Sequence, residues 1–247
     1  MQAPPLLELR DAVWRANLAL VDAGLVTLSF GNASGVDAAS GVLIIKPSGV
    51  PYGNLRPDLL VAVAIESGLV LDGGLRPSSD TPTHLALCRR YPAIGGVVHT
   101  HSTAAAGWAQ ACRAIPPLGT THADYFRGPV PVTRRLTEDE VSGEYELATG
   151  EVIIETLERH GLDASDMPAA LVASHGPFTW GATAQDAVDH AIVLEAVAAM
   201  ASQTSALAPD AQAIPAYLLE RHFQRKHGPA AYYGQVRGND PPNPVRP

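Results

Sequence analysis

Four side chains in this sequence have the types and spacing to hold one divalent cation. Asp80 sits in RPSSDTPTH, His99 and His101 in VVHTHS, and His175 in LVASHGPF. His99 and His101 are one residue apart and follow the β-rich run IGGVV, so on an extended strand both leave the same face. Each imidazole can offer a neutral nitrogen to a metal. His175 follows the apolar run Leu171 to Ala173 and precedes Gly176-Pro177, a strand end and sharp turn able to aim a ligand into a cleft. Read alone, His-x-His is as often a pair of unrelated hydrogen-bonded histidines as half a metal site. A second pattern lies around it. Gly31-Asn32, Ser48-Gly49 and Ser78-Ser79 are short turns that follow or flank strands, and Lys46 stands beside the second. Backbone N–H groups and hydroxyls in such turns can surround an anion, with the lysine as a point charge. Singly each is an ordinary turn; as a set beside a lysine they favour an anion pocket.

These residues need elements to hold them. Apolar residues at helical spacing predict a helix over Leu6–Ala23, stopped by Gly24. LVTLSF then reads as a strand, followed by a turn-rich cluster at 31–35, and GVLIIKPSG as a strand ending at Lys46–Gly49. Strands are expected over 59–65 and 68–71. Ser79 or Asp80 is placed to cap a helix over Pro82–Arg90. A strand at Ile94–His99, a small-residue helix at Thr103–Ala111 and a loop rich in Pro, Gly and Thr come next. Leu136–His160 reads as one helix closed by Gly161, Leu171–Ser174 as a strand, and Ala184–Ala201 and Ala216–Lys226 as helices. The expected fold is α/β: a single domain over residues 1–234 with a central, largely antiparallel sheet flanked by helices. Residues 235–247, rich in Pro, Gly and charge, read as a disordered tail.

Composition narrows the function classes. The 247 residues suffice to bury a full core, and 46% hydrophobic against 17% charged residues suits a compact soluble protein. A formal net charge of −8 argues against a broad nucleic-acid footprint. Glu8, Arg10 and Asp11 interrupt the N-terminus, which is not a signal peptide, and no apolar run is long enough to span a bilayer. Cys88 and Cys112 lack metal-type spacing and read as reduced thiols of a cytoplasmic protein.

Eight segments occur in a telling order: GNAS (31–34), KPSG (46–49), PSSDTPTH (77–84), VVHTHS (97–102), GTTHADYF (119–126), GEYE (143–146), SHGPF (174–178) and KHGPAAYYGQ (226–235). The chain thereby resembles the class II aldolase/epimerase family from about residue 6 to 235. Aldolase relatives place a glutamate where this chain has Asp80, so the shorter carboxylate resembles the epimerase branch. The resemblance implies Asp80, His99, His101 and His175 as metal ligands, with Zn²⁺ suiting them best and Mn²⁺ or Co²⁺ as substitutes. It implies Gly31, Asn32, Lys46, Ser48, Gly49, Ser78 and Ser79 as substrate-binding residues, including for a phosphate.

The implied reaction inverts C4 of L-ribulose 5-phosphate to give D-xylulose 5-phosphate, a step of L-arabinose catabolism, by cleaving and remaking the C3–C4 bond. A Lewis-acid cation stabilises the enediolate, and phosphate binding keeps the aldehyde fragment in place while its other face is presented. Two protons must be handled on opposite faces. The resemblance assigns them to Asp124 and Tyr233, with Tyr232 as the alternative register. Thr120, Glu146 and His222 match supporting positions. His84 reads as structural and His122 as a residue behind the site, while His160, His190 and His227 read as surface residues. Relatives of this kind are homotetramers with active sites at subunit interfaces, their C-terminal tyrosine reaching a neighbour's metal. The partner implied is thus a small phosphorylated ketopentose, not a nucleic acid or a membrane. The alternatives are a class II aldolase, an epimerase of another ketose phosphate, and a scaffold without catalysis.

Overall fold

The computed structural model describes residues 4–72, 74–229 and 231–232. Tyr233 and the tail at 235–247 lie outside them. Seven strands form one sheet: β1 (Asn32–Asp37), β2 (Val42–Ile45), β3 (Val61–Ala64), β4 (Val70–Asp72), β5 (Gly96–His99), β6 (Ala169–Leu171) and β7 (Pro177–Gly181). Their order is β4-β3-β2-β1-β5-β7-β6, and every neighbouring pair is antiparallel. The α/β expectation of an antiparallel sheet flanked by helices holds.

The helices are α1 (Pro4–Asp22), α2 (Thr81–Arg90), α3 (Thr103–Gln110), α4 (Thr120–Ala123), α5 (Glu138–Ser142), α6 (Tyr145–Arg159), α7 (Ala184–Leu207) and α8 (Ala216–His227). They cover both faces of the sheet. β2 shows why its sequence is an unbroken apolar run: successive side chains alternate between two buried layers. Val42 and Ile44 pack with Val13, Leu20 and Val188 of α1 and α7. Leu43 and Ile45 pack in the opposite layer with Leu87, Trp108, Ile153 and Trp180. No helix among the described residues is long and apolar enough to cross a membrane.

Several expected elements are corrected. The apolar run 25–30 is not a strand; Leu28 there has φ +55°, and the strand is the small-residue segment that follows. Gly35 shows the reason. A Cβ there would stand 2.7 Å from Val13 and 2.9 Å from Leu9, so α1 lies directly on a strand built of small residues. The helix expected over 136–160 is two helices, broken at Gly143. α5 starts from a reciprocal cap in which Thr137 Oγ1 accepts from Glu140 N and the Glu140 carboxylate accepts from Thr137 N. Leu171–Ser174 shrinks to the end of β6, and the Gly176-Pro177 break opens β7, where proline's missing N–H is tolerated at a first strand position. α4 was hidden in the expected loop.

Candidate active site

Strand register does the first part of the positioning. Asn32 pairs with His99 across β1 and β5, and His99 pairs with Phe178 across β5 and β7. Three central strands therefore end side by side. His101 lies just beyond β5, and its segment runs into α3, whose first N–H groups are captured by the Glu195 carboxylate of α7: Ala104 N at 2.7 Å and Ala105 N at 2.9 Å. Such a cap is favoured at the positive end of a helix.

His175 hangs in the turn between β6 and β7. Its predecessor Ser174 has φ +63°, a conformation uncommon without glycine, and is held there by Ser174 N donating to Ala109 O at 2.9 Å. On its other side, a Cβ on Gly176 would stand 2.8 Å from Thr100 O, so only glycine lets the two histidine-bearing segments lie this close.

The three histidines converge. Their ligating atoms lie within 4.8 Å of one another, with His99 Nε2 and His101 Nε2 3.0 Å apart. His99 Nδ1 donates to Pro177 O at 3.0 Å, which leaves the Nε2 lone pair facing the cluster. Burial, opposed by Asp80, pushes His99 down to about 4, and burial followed by His101 lowers His175. Both rings are therefore neutral at pH 7. Neutral imidazole lone pairs facing one another need a shared cation or proton between them, and this donor set fits a divalent metal.

Asp80 stands in the same cleft but outside the cluster. It opens α2 without capping it: its side chain makes no cap bond and turns instead to the cleft. Asn32 Nδ2 donates to Asp80 Oδ2 at 2.6 Å, and Ser78 Oγ approaches the same oxygen at 3.4 Å. Burial pushes the Asp80 carboxyl up, but His99, His84 and the Asn32 bond outweigh it and hold the group below its ordinary value. With its amide nitrogen committed, Asn32 leaves Oδ1 buried and without a partner. An unsatisfied buried acceptor of this kind asks for a donor from a bound molecule.

The anion turns come together as expected. Ser48 N donates to Arg76 O and Ser78 N to Lys46 O, both at 3.0 Å, zipping the segment at 46–49 to that at 76–79. Lys46 is 2% exposed, and no carboxylate lies within 4.0 Å of it among the described residues. Its Nζ has only long contacts, 3.5 Å to Ser29 O and 3.4 Å to Pro47 O, and lies 4.9 Å from the centre of the Tyr52 ring. Burial lowers its pKa, partly countered by Asp80. A buried ammonium this poorly paired is suited to receiving an anion.

All these groups line one cleft of about 390 Å³: Gly31, Asn32, Lys46, Ser48, Gly49, Ser78, Ser79, Asp80, His99, His101 and His175, together with Glu146. Tyr145 lines it as well, its hydroxyl 3.2 Å from His175 Nδ1. Residue types alone did not single out Tyr145 or Glu195; GEYE carried the only signal, and it pointed to Glu146.

Asp124, Thr120 and His222 do not line this cleft. Asp124 caps the end of α4 and is clamped onto α8. Arg225 Nε and Nη2 donate to its two oxygens at 2.9 and 2.7 Å, and His222 Nδ1 lies 3.0 Å from Oδ1. Burial raises the Asp124 carboxyl, but the Arg225 and His222 bonds prevail and the net shift is downward. Tyr125 beside it lines a second cavity of about 950 Å³.

The remaining histidines sort by partner. His84 is structural, fully buried with Nδ1 2.7 Å from Ser34 Oγ. His122 Nε2 donates to Gly128 O, away from the cleft. His160 and His227 are exposed, as expected, with His227 bonding the Asp124 carbonyl, whereas His190 is half-buried on Trp180 O and is not a plain surface residue. Cys88 and Cys112 are both free thiols.

Residues 11–202 match the family described as Class II Aldolase and Adducin N-terminal domain. The chain is 54% identical over 228 residues to the L-ribulose-5-phosphate 4-epimerase UlaF of Salmonella paratyphi C (strain RKS4594), covering 92% of this chain and 99% of that one. The enzyme of the same name from Salmonella typhi matches to the same extent. Among solved structures, an L-fuculose 1-phosphate aldolase superposes with a TM-score of 0.75 at 19% identity, covering 91% of this chain and 97% of that one, a likeness of fold. YgbL of Escherichia coli, a putative aldolase/epimerase/decarboxylase, has a TM-score of 0.68 at 26% identity over 87% of this chain and 98% of its own.

Proposed function

This chain belongs to the class II aldolase family, and from that premise we propose that it is a metal-dependent L-ribulose-5-phosphate 4-epimerase. It converts L-ribulose 5-phosphate to D-xylulose 5-phosphate, as the name of its 54%-identical relatives describes. The observation that carries the reading is a three-histidine cluster sharing one cleft with a buried, carboxylate-free lysine. Sugar-phosphate chemistry needs both: an electrophile at the ketone end and a cation-lined pocket at the phosphate end.

His99, His101 and His175 would hold a divalent cation, Zn²⁺ by the nitrogen donor set, with Mn²⁺ or Co²⁺ as substitutes. Asp80 is the proposed fourth ligand through Oδ1, since Asn32 and Ser78 both engage Oδ2. When bound, the cation supplies Lewis acidity at the ketone oxygen. Lys46, the N–H groups of Gly49 and Ser79 and the hydroxyls of Ser48, Ser78 and Ser79 hold the phosphate, so the aldehyde fragment stays in the cleft after C3–C4 cleavage. Asn32 Oδ1 accepts a sugar hydroxyl. Asp124 and Tyr233 handle the two protons, one on each face. Thr120, Glu146 and His222 support them, His222 directly through Asp124 Oδ1.

Asp124 does not line the metal cleft of its own chain, which supports a complete site formed between copies. A homotetramer in which the α4/α8 edge of one subunit faces the cleft of the next supplies both halves. A freely diffusing phosphorylated pentulose and two free thiols fit a cytoplasmic enzyme.

The test follows both products from L-ribulose 5-phosphate with zinc-loaded protein. D-Xylulose 5-phosphate without released glycolaldehyde phosphate, abolished by a chelator, is expected. Aldehyde release as the main outcome makes the protein an aldolase instead.

A further inference from the structure

We infer that Tyr145 is a positioning residue of the metal cleft, fixing the tautomer of His175 and presenting its own hydroxyl proton to the bound sugar. The inference rests on the metal reading above. The argument starts from the two nitrogens of one ring. If His175 ligates through Nε2, that atom offers a lone pair, and the ring proton resides on Nδ1. The acceptor within reach of Nδ1 is the Tyr145 hydroxyl at 3.2 Å. The carbonyl of Pro177 serves His99 Nδ1 in the same way at 3.0 Å. Ligand histidines depend on such partners for ring orientation and basicity.

A phenol oxygen that accepts from an N–H still has its own proton to donate. Tyr145 lines the cleft, so the direction left for that proton is toward a carbonyl or hydroxyl oxygen of the substrate. One residue thus couples the cation's ligand to the sugar.

The backbone around Tyr145 is fixed from three sides. Thr149 Oγ1 donates to Tyr145 O at 2.9 Å, and Thr83 Oγ1 of α2 donates to the carbonyl of Glu146. α6 lies so close to α2 that a Cβ on Gly150 would stand 2.7 Å from the Ala86 Cβ. α2 is also the helix that begins at Asp80. The tyrosine is therefore tied to the element carrying one proposed ligand while it touches another.

The experiment compares Tyr145→Phe with His175→Ala in the full-length protein, reading three quantities. Zn²⁺ affinity is measured by competition with a chromogenic chelator, coordination by the visible spectrum of the Co²⁺-substituted protein, and turnover with L-ribulose 5-phosphate. For Tyr145→Phe, Zn²⁺ affinity should fall about 10-fold, the lower end for loss of a ligand's hydrogen-bond partner. The Co²⁺ bands should shift, and kcat should drop more than KM rises. Unchanged affinity and an unchanged Co²⁺ spectrum, with His175→Ala losing the metal, would overturn this inference alone. If His175→Ala also binds as the parent does, the metal reading itself fails. Should Tyr145→Phe not fold, the ¹⁵N histidine spectrum of the zinc-loaded parent decides: a proton on His175 Nδ1 supports the inference, and one on Nε2 overturns it.

Discussion

Replacing Lys46 by methionine separates two roles that a buried lysine can have. Methionine keeps the length and apolar stem of the side chain and removes the charge. In the folded protein Lys46 is 2% exposed, and among the described residues its ammonium meets only two carbonyls at 3.4–3.5 Å and the face of Tyr52. Those contacts are too long to compensate its desolvation, as its lowered pKa reflects. A lysine kept for stability would be paired better. For a phosphate ligand, a charge-assisted hydrogen bond contributes roughly 1.5–3 kcal/mol, equivalent to a roughly 10- to 150-fold rise in KM when it is lost. The expected signature is therefore a raised KM for L-ribulose 5-phosphate, little change in kcat, and an unfolding midpoint in urea that stays level or rises. Inorganic phosphate should raise the thermal midpoint of the parent protein and leave the Lys46→Met variant unmoved. An unchanged KM together with a fall of several kcal/mol in stability would refute the reasoning, because Lys46 would then be a structural cation.

Two further outcomes follow from the charged groups. Arg225→Met removes a two-pronged partner from Asp124, whose side chain is 13% exposed; the loss at pH 7 should be about 1–3 kcal/mol, below the 3–5 of a fully buried pair. The folded-state pKa of Asp124 lies below the unfolded value, so its stabilisation is present above pH 3.8 and disappears as the pH falls through the folded value. Urea unfolding should show the parent and variant converging in acid, and a constant difference down to pH 2 would contradict the pairing. His84 is pushed down to about 3 by burial, against the pull of Asp80, while the unfolded chain takes up its proton near 6.5. The unfolded state thus holds the extra proton between those values, and stability of the chelator-treated protein should fall by about 1.4 kcal/mol per pH unit from this residue as the pH drops. His84→Asn should flatten that slope, and an equal slope in both proteins would remove His84 as its source.

The sequence made some elements legible because one physical effect dominated them. α1 has a clear apolar period and ends at Gly24 with φ +67°, and β2 is an apolar run that both layers bury. β1 was missed because its residues, Asn, Ala, Ser and Gly, have low strand propensity. What makes it a strand is tertiary: α1 packs so close that side chains would collide, and Ser34 is needed at His84 Nδ1. The apolar 25–30 segment that read as a strand has Leu28 and Phe30 largely exposed, 78% and 55%, with Phe30 stacked on His101 at 6.2 Å. Tertiary packing overrode local preference in both places. Helices α5 and α6 merged in the reading because Gly143, the residue at which α5 ends, is a weaker break in a helical pattern than proline.

The site divides along a different line. The residues on strand ends and adjoining turns, His99, His101, His175, Asn32 and Lys46, were legible because β-register and turn chemistry place them with little freedom, and one cleft collects them all. Asp124 belongs to the motif order and His222 matches a supporting position outside it, yet both line another part of the molecule. A motif records which residues a reaction needs but carries no information on which copy of the chain supplies each. Spacing along one chain therefore cannot distinguish a site within a subunit from a site between two. The clamp by Arg225 makes the second arrangement chemically sensible: it holds Asp124 charged and oriented at an edge of the fold before any neighbour arrives. A carboxylate preformed in this way loses little freedom on assembly. On the proposed assembly each subunit carries one half of two different sites, and dissociated subunits should bind the metal while failing to turn over substrate.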